Sequence, residues 1–249
     1  MSIEIGLAIA FFLIALCYSA AGFGGGSSYL AVLVFAGVGS ATMRPTALLC
    51  NIIVVLGGTF LYQKAKLIDF KKALPLLIIS TPMAFIGGYW PITQPIFFLL
   101  LGMSLFISAV FLWIQPTFSS ISKSFDKPMI NAGIGGGIGL LAGLVSIGGG
   151  IFLAPVLHLI KWDDAKHIAA MASLFILVNS ISGLVGQLVQ VHFKIDLLSI
   201  LPLLLAVLIG GQIGSRLSIK WLNHKLIKRI TAVLILIVSL RILWQQLSL

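Results

Sequence analysis

The chain has 249 residues, of which 59% are hydrophobic and only 9% charged, against roughly a quarter charged in soluble domains. A soluble fold of this size has no interior large enough to hide that much apolar surface, so the composition calls for a lipid bilayer as solvent. The net charge of +10 does not point to nucleic acid, because the basic residues sit in short gaps between apolar runs, where such charge sets membrane orientation.

Apolar stretches fall at about 5–38, 46–62, 73–89, 96–114, 129–160, 168–191, 197–215 and 230–244. A membrane-spanning helix takes about 20 residues, with a range of about 17–25. The first and fifth stretches are too long for one span, and both are interrupted. The interruptions are Gly22-Phe23-Gly24-Gly25-Gly26-Ser27-Ser28 and Ser146-Ile147-Gly148-Gly149-Gly150. Each glycine in a helix is about 1 kcal/mol less favourable than alanine, so neither run suits the middle of an ordinary span. Glu4 precedes the first apolar run without a basic residue, which is not the start of a cleaved signal peptide. Cys17 and Cys50 lie in apolar stretches and read as packed thiols, with a disulfide left open.

The two breaks lie 124 residues apart, half the chain. Leu30-Ala31 matches Leu153-Ala154 after a one-residue slip, and Leu74-Pro75-Leu76-Leu77 matches Leu201-Pro202-Leu203-Leu204. Small residues close the third span of each half, at Met83–Gly88 and Gly210–Ser215. This reads as an internal duplication, with repeats at 1–115 and 128–249 and a polar linker at 116–127.

Charge then tests the topology. If each long stretch crosses once, the basic residues divide eight to eight between the two sides. If the chain turns back at each glycine break, one side holds thirteen, from the 64–72 loop, the linker, the 161–166 loop and the 216–229 segment. The other keeps only Arg44, Lys194 and Arg241. The uneven division is what the positive-inside rule requires. Both termini are then outside, the linker is cytoplasmic, and each half crosses an odd number of times. The expected fold is all-α integral membrane, with two inverted repeats, each a glycine-broken hairpin plus three transmembrane helices. In such repeats the substrate site lies near the midplane at the repeat interface. Trp90, Trp113, Trp162, Trp221 and Trp244 fall near the ends of the stretches, where an aromatic belt is expected.

Irregular backbone inside a bilayer is tolerated when buried in protein or lining a cavity. A helix restarting after a break offers free N–H groups and a positive dipole end to an anion. The candidate substrate-binding residues are therefore Gly24, Gly25, Gly26, Ser27 and Ser28 in the first half, and Ser146, Gly148, Gly149 and Gly150 in the second. The bland reading, glycines that only let helices pack closely, is weakened by their symmetric placement. Asn51, Ser173 and Asn179 are intramembrane polar residues that could donate to an anion or serve as interhelical glue. Gln187 shares a helical face with Asn179. Arg216 could draw anions to the inner mouth. No Gly-Lys-Ser/Thr follows either break, which excludes a phosphate loop of the nucleotide-binding kind. The six acidic residues fall in loops or at span ends, which argues against a proton relay. His158 is the one histidine placed to touch a pathway. No metal-ligand cluster and no nucleophile–base pair is visible, so neither a metal, a cofactor nor an enzyme activity is expected.

At the breaks, Gly22-Phe23-Gly24-Gly25-Gly26 and Ser146-Ile147-Gly148-Gly149-Gly150-Ile151-Phe152-Leu153-Ala154-Pro155, together with Gly210-Gly211-Gln212-Ile213-Gly214-Ser215-Arg216, the chain resembles the TauE/SafE family of bacterial membrane transporters. It departs from that pattern at Ser146, where a first glycine is usual, and at Val32, where a proline is. The resemblance implies export of sulfite, sulfoacetate or another small sulfur-containing or organic anion across the cell inner membrane. The partners are then the lipid bilayer and a small anionic substrate, and a homodimer is left open. A channel or cation-coupled transporter, in which backbone carbonyls hold the ion, and a membrane assembly protein that transports nothing remain as alternatives. The charge division predicts that single cysteines placed in the 64–72 loop of intact cells resist membrane-impermeant thiol reagents. Labelling from outside would overturn the orientation.

Overall fold

In a computed structural model of the chain, residues 2–114, 128–190, 197–220 and parts of 232–244 are described. The first apolar stretch forms two helices, α1 (Ser2–Ala20) and α2 (Gly26–Phe35), parted at the glycine run. Single helices follow: α3 (Ser40–Lys64), α4 (Phe70–Tyr89) and α5 (Gln94–Ile114). The fifth stretch is split in its turn, into α6 (Pro128–Val145) and α7 (Gly150–Leu159), before α8 (Ala165–Leu188) and α9 (Leu197–Lys220). No strand occurs among the described residues. The 116–127 linker, most of the eighth stretch, and Lys123, Lys127, Lys194, Lys225, Lys228, Arg229 and Arg241 of the charge division lie outside the described residues.

α3, α4, α6, α8 and α9 are long and apolar enough to cross a membrane by length and composition. Leu99, Met103, Phe106, Ile107 and Val110 of α5 face outward, a surface that lipid accepts and water does not. The chain is an all-helical integral membrane protein. Trp90 and Trp113 are exposed at helix ends, as a belt requires, but Trp162 is buried. Its ring lies under the Lys72 ammonium, 5.7 Å from the ring centre. Cys17 and Cys50 are free thiols.

The helix starts in the loops carry conventional caps. The Asp69 carboxylate accepts from the Lys71 and Lys72 N–H groups, and Asp164 accepts from those of Lys166 and His167. Partial burial opposes the Asp164 charge, but the bonds from His167 and Lys166 outweigh it and hold this carboxyl below its ordinary value.

Small residues set the packing. α6 presents Gly135, Gly139 and Gly143 at every fourth position, and a Cβ there would strike the backbone carbonyls of Leu76, Ser80 and Ala84 of α4 in turn. Backbones this close are a membrane device, because lipid gives no hydrophobic drive to associate and van der Waals contact must supply it. The register ascends on both helices, so α4 and α6 run the same way. Gly210 and Gly214 of α9 meet the Phe12 and Leu16 carbonyls of α1 in the same manner. Ser182 of α8 and Gln190, just past its end, donate to the Thr81 and Gly88 carbonyls of α4, at 2.6 and 2.7 Å, again in ascending register. Gly57 and Gly58 of α3 abut Gln212 and Ser215 of α9. Of these long-helix pairs the central one, α3 and α8, is antiparallel: Thr59 bonds Ser173 at one end, and Arg44 and Gln187 meet on Ser146 at the other. So α1, α3 and α9 point one way, and α4, α6 and α8 the other.

The short helices turn back on their predecessors. Tyr29 of α2 stacks on Phe11 of α1, ring centres 4.7 Å apart, although Gly25 already lies beside Ile14. Phe152, Pro155 and Val156 of α7 share a cavity of about 130 Å³ with Ile138 and Leu141 of α6. At 10 residues each, α2 and α7 rise only about 15 Å, half of a hydrocarbon core of about 30 Å. Gly143→Ala is expected to destabilise by about 1–3 kcal/mol and to lower the Tm of the purified protein. Gly133→Ala, on the same helix but facing open space, should leave it unchanged or raise it.

Candidate functional site

Each glycine break begins as a helix stop. α1 ends with Gly22 in the left-handed conformation (φ 82°), while Phe23 N–H returns to the Tyr18 carbonyl at 2.9 Å. This is the Schellman stop, whose left-handed position normally takes glycine. α6 ends the same way, with Ile147 N–H on the Ala142 carbonyl at 3.2 Å, but the left-handed residue is Ser146 (φ 59°). Gly25 (φ 90°) and Gly149 (φ 86°) then redirect the chain into α2 and α7, with no side-chain cap on either helix. The opening N–H groups of both short helices, on Gly26 and Ser27 and on Gly150 and Ile151, have no acceptor within their own helix.

Both breaks converge on one side chain. Asn51, midway along α3, is fully buried, and its Nδ2 donates to the Ile147 carbonyl of the second break at 2.8 Å. Its amide also fills the space that a Cβ would take at Gly24 or at Gly26 of the first break. A Cβ at Gly148 would lie 3.2 Å from the same Nδ2. Ile176 of α8 faces Asn51 and touches both breaks as well, at Gly24, Gly148 and Gly150. Ser180 backs Gly148. The broken segments thus meet on the α3–α8 contact, where Asn51 and Ile176 fill the space beside the glycines.

The hydroxyls flanking the first break are already engaged. Tyr18 Oη lies 2.7 Å from Ser28 Oγ and 3.4 Å from Ser27 Oγ. Ser173 pairs with Thr59 Oγ1 at 2.9 Å, about two turns along α3 from Asn51. Asn179 donates Nδ2 to the Phe175 carbonyl of its own helix at 2.9 Å. Asn51 and the glycines of both breaks therefore come together, while Ser146 is held by Arg44 and Gln187, Ser173 by Thr59, and Asn179 by its own helix. The Oδ1 atoms of Asn51 and Asn179 and Ser180 Oγ are buried with no hydrogen-bond partner. Arg216 is exposed on α9.

Other residues of the site carried little signal in the sequence. Arg44 reads there as one of three basic residues on the sparsely charged side. In the fold it is 9% exposed, in the early part of α3. Its Nε donates to Ser146 Oγ at 3.1 Å, its Nη2 to the Leu144 carbonyl at 3.2 Å, and its guanidinium lies 5.5 Å from the Phe97 ring centre. Gln187 donates to the same Ser146 Oγ at 2.9 Å. Gln187 could be found from its shared face with Asn179. Ile176 and Tyr18 are indistinguishable in sequence from core residues. Asp163, Asp164 and His167 have ligand atoms within 4.8 Å of one another, but they sit at the half-exposed start of α8, where Asp164 caps the helix and Lys72 pairs with Asp163 at 2.8 Å.

The family model described as Sulfite exporter TauE/SafE matches residues 7–242. A protein of Sinorhizobium fredii described as "Probable membrane transporter protein" is 33% identical over 249 residues, covering 96% of this chain and 98% of the relative. Another with that description, from Methanocaldococcus jannaschii, is 28% identical over 239 residues, covering 87% of this chain and 88% of the relative. No solved structure matches the chain. Asn51→Leu strands the buried Ile147 carbonyl and is expected to destabilise by about 1–3 kcal/mol. Asn179→Leu, which loses only a bond within its own helix, should lower the Tm less in the same thermal melt.

Proposed function

The chain belongs to the TauE/SafE family of membrane transporters, and from that premise we propose that it exports a small anion, sulfite or a related sulfur oxyanion or organosulfonate. One observation carries this reading: two glycine breaks, far apart in sequence, meet at Asn51 between the antiparallel helices α3 and α8. Two helix starts with unused N–H groups then serve one point, and their dipoles favour negative charge there.

The proposed cradle is the N–H groups of Gly24–Ser28 and Gly148–Ile151, with Asn51 and the Ser27, Ser28 and Ser146 hydroxyls as donors. Ser173 and Asn179 line the approaches along α8. The packed arrangement is the closed state, in which the Asn51 amide occupies the glycine surfaces that the anion takes when the hairpins part. Residues 1–115 and 128–249 form two inverted repeats joined by a cytoplasmic linker at 116–127. The opposed directions of α1 and α6, α3 and α8, and α4 and α9 support this. Parting of one hairpin at a time gives alternating access to a fixed midplane site. In an inner membrane with both termini outside, a negative interior drives each unit of negative charge outward by about 2.3 kcal/mol per 100 mV, and no proton relay is needed.

A second reading, cation coupling, has its own support: the buried, unpartnered Oδ1 atoms of Asn51 and Asn179 are acceptors, which a cation would use. Proteoliposomes loaded with sulfite separate the two. Under the anion reading, efflux follows an imposed membrane potential in sodium-free buffer. Gly25→Val and Gly149→Val should cut it at least about tenfold while the protein stays monodisperse, since each places a branched side chain at a left-handed position. Efflux that requires Na⁺ favours cation coupling. Absence of sulfite and sulfonate flux from correctly folded protein overturns the anion reading.

A further inference from the structure

The sharpest difference between the two breaks is the company each helix stop keeps. At the first, a Cβ on Gly22 would meet Tyr62 Oη and the Ala169 methyl, each at 3.1 Å. At the second, the corresponding residue is Ser146, and its neighbours are the guanidinium of Arg44 and the amide of Gln187. The backbone requirement is the same at both, and glycine meets it without strain. Serine at φ 59° is strained, and strain of this kind gathers at functional sites. What serine adds is a hydroxyl. Arg44 Nε and Gln187 Nε2 both donate to Oγ, so the serine proton is left to point elsewhere.

Arg44 is the second anomaly. A nine-tenths buried guanidinium normally sits against a carboxylate, because a buried charge without a counter-charge is costly. Here its protein partners are a hydroxyl, a carbonyl and the Phe97 ring, all uncharged. Nη1 has no protein acceptor among the described residues. We propose that Arg44, with Ser146 and Gln187, forms an oxyanion-binding station at the second break, which takes a sulfite, sulfonate or carboxylate group as the missing counter-charge. Two oxygens of such a group match the free edge of the guanidinium fork, and the Ser146 hydroxyl donates to the same group. The station rests on the anion-export reading. It lies on the α3 N-terminal side of the Asn51 crossing, so an anion that passes Asn51 is received by a fixed positive charge.

The test is sulfite and methanesulfonate titration of the purified full chain in detergent, read by thermal shift, with sodium chloride at matched ionic strength as control. Arg44→Gln should weaken sulfite binding by about 10- to 100-fold, while the ligand-free variant melts no lower than wild type, because an unpaired buried charge is gone. Arg44→Lys keeps charge but loses the fork, and should fall between. Gln187→Glu places a carboxylate beside the guanidinium and should remove the sulfite dependence with the fold intact. Wild-type sulfite affinity in Arg44→Gln overturns the station and leaves the anion reading standing. If Arg44→Gln does not fold, Gln187→Glu decides, and an unchanged sulfite response overturns the station. A wild-type protein that responds to neither anion overturns the anion reading and the station with it.

Discussion

Inside a bilayer every backbone N–H and C=O must find a partner within the protein, and the two glycine breaks are where the helical ladder cannot provide one. The rest of the architecture follows from that demand. The broken segments need polar neighbours shielded from lipid, and the central α3–α8 pair offers several of them. Asn51 answers part of the demand by donating to the Ile147 carbonyl. Its neighbours Gly24 and Gly26 stay free of side chains so that the amide fits between the breaks. An asparagine at this depth is otherwise costly. Here the fold supplies its donor bond and leaves its oxygen without a partner.

Around this centre the helices are held by two different means. α4 with α6, and α1 with α9, are locked by glycines laid against the carbonyls of the facing helix. Such contacts tolerate neither added bulk nor sliding, because backbone cannot yield as a side chain can. α2 and α7 are held instead by side chains: Tyr29 on Phe11, Ser28 on Tyr18, and Ile176 against Gly150. Side-chain contacts can re-form after a rotamer change on fast timescales.

The two breaks share a backbone design but not a chemistry. The first stop is surrounded by Tyr62 and Ala169, the second by Arg44 and Gln187. At the crossing, Asn51 on α3 is met by Ile176 on α8. The first stop is thus surrounded by neutral groups, and the second by a buried cation and an amide.

The membrane class, the helix positions and the two breaks were all legible in the sequence. Apolar run length, glycine and charge act through neighbours a few residues away, and the bilayer enforces them one helix at a time. The candidate residues at the breaks, with Asn51, were legible for the same reason: glycine runs and an amide are conspicuous against apolar surroundings. Which of them meet was not. That Asn51 touches both breaks while Asn179 turns onto its own helix depends on how α3 and α8 are rotated against each other. Arg44 shows the limit most clearly. In sequence it is one basic residue before an apolar run, which reads as a membrane-surface anchor. Tertiary packing alone buries it against Ser146, because the residue that draws it inward lies about a hundred positions away along the chain.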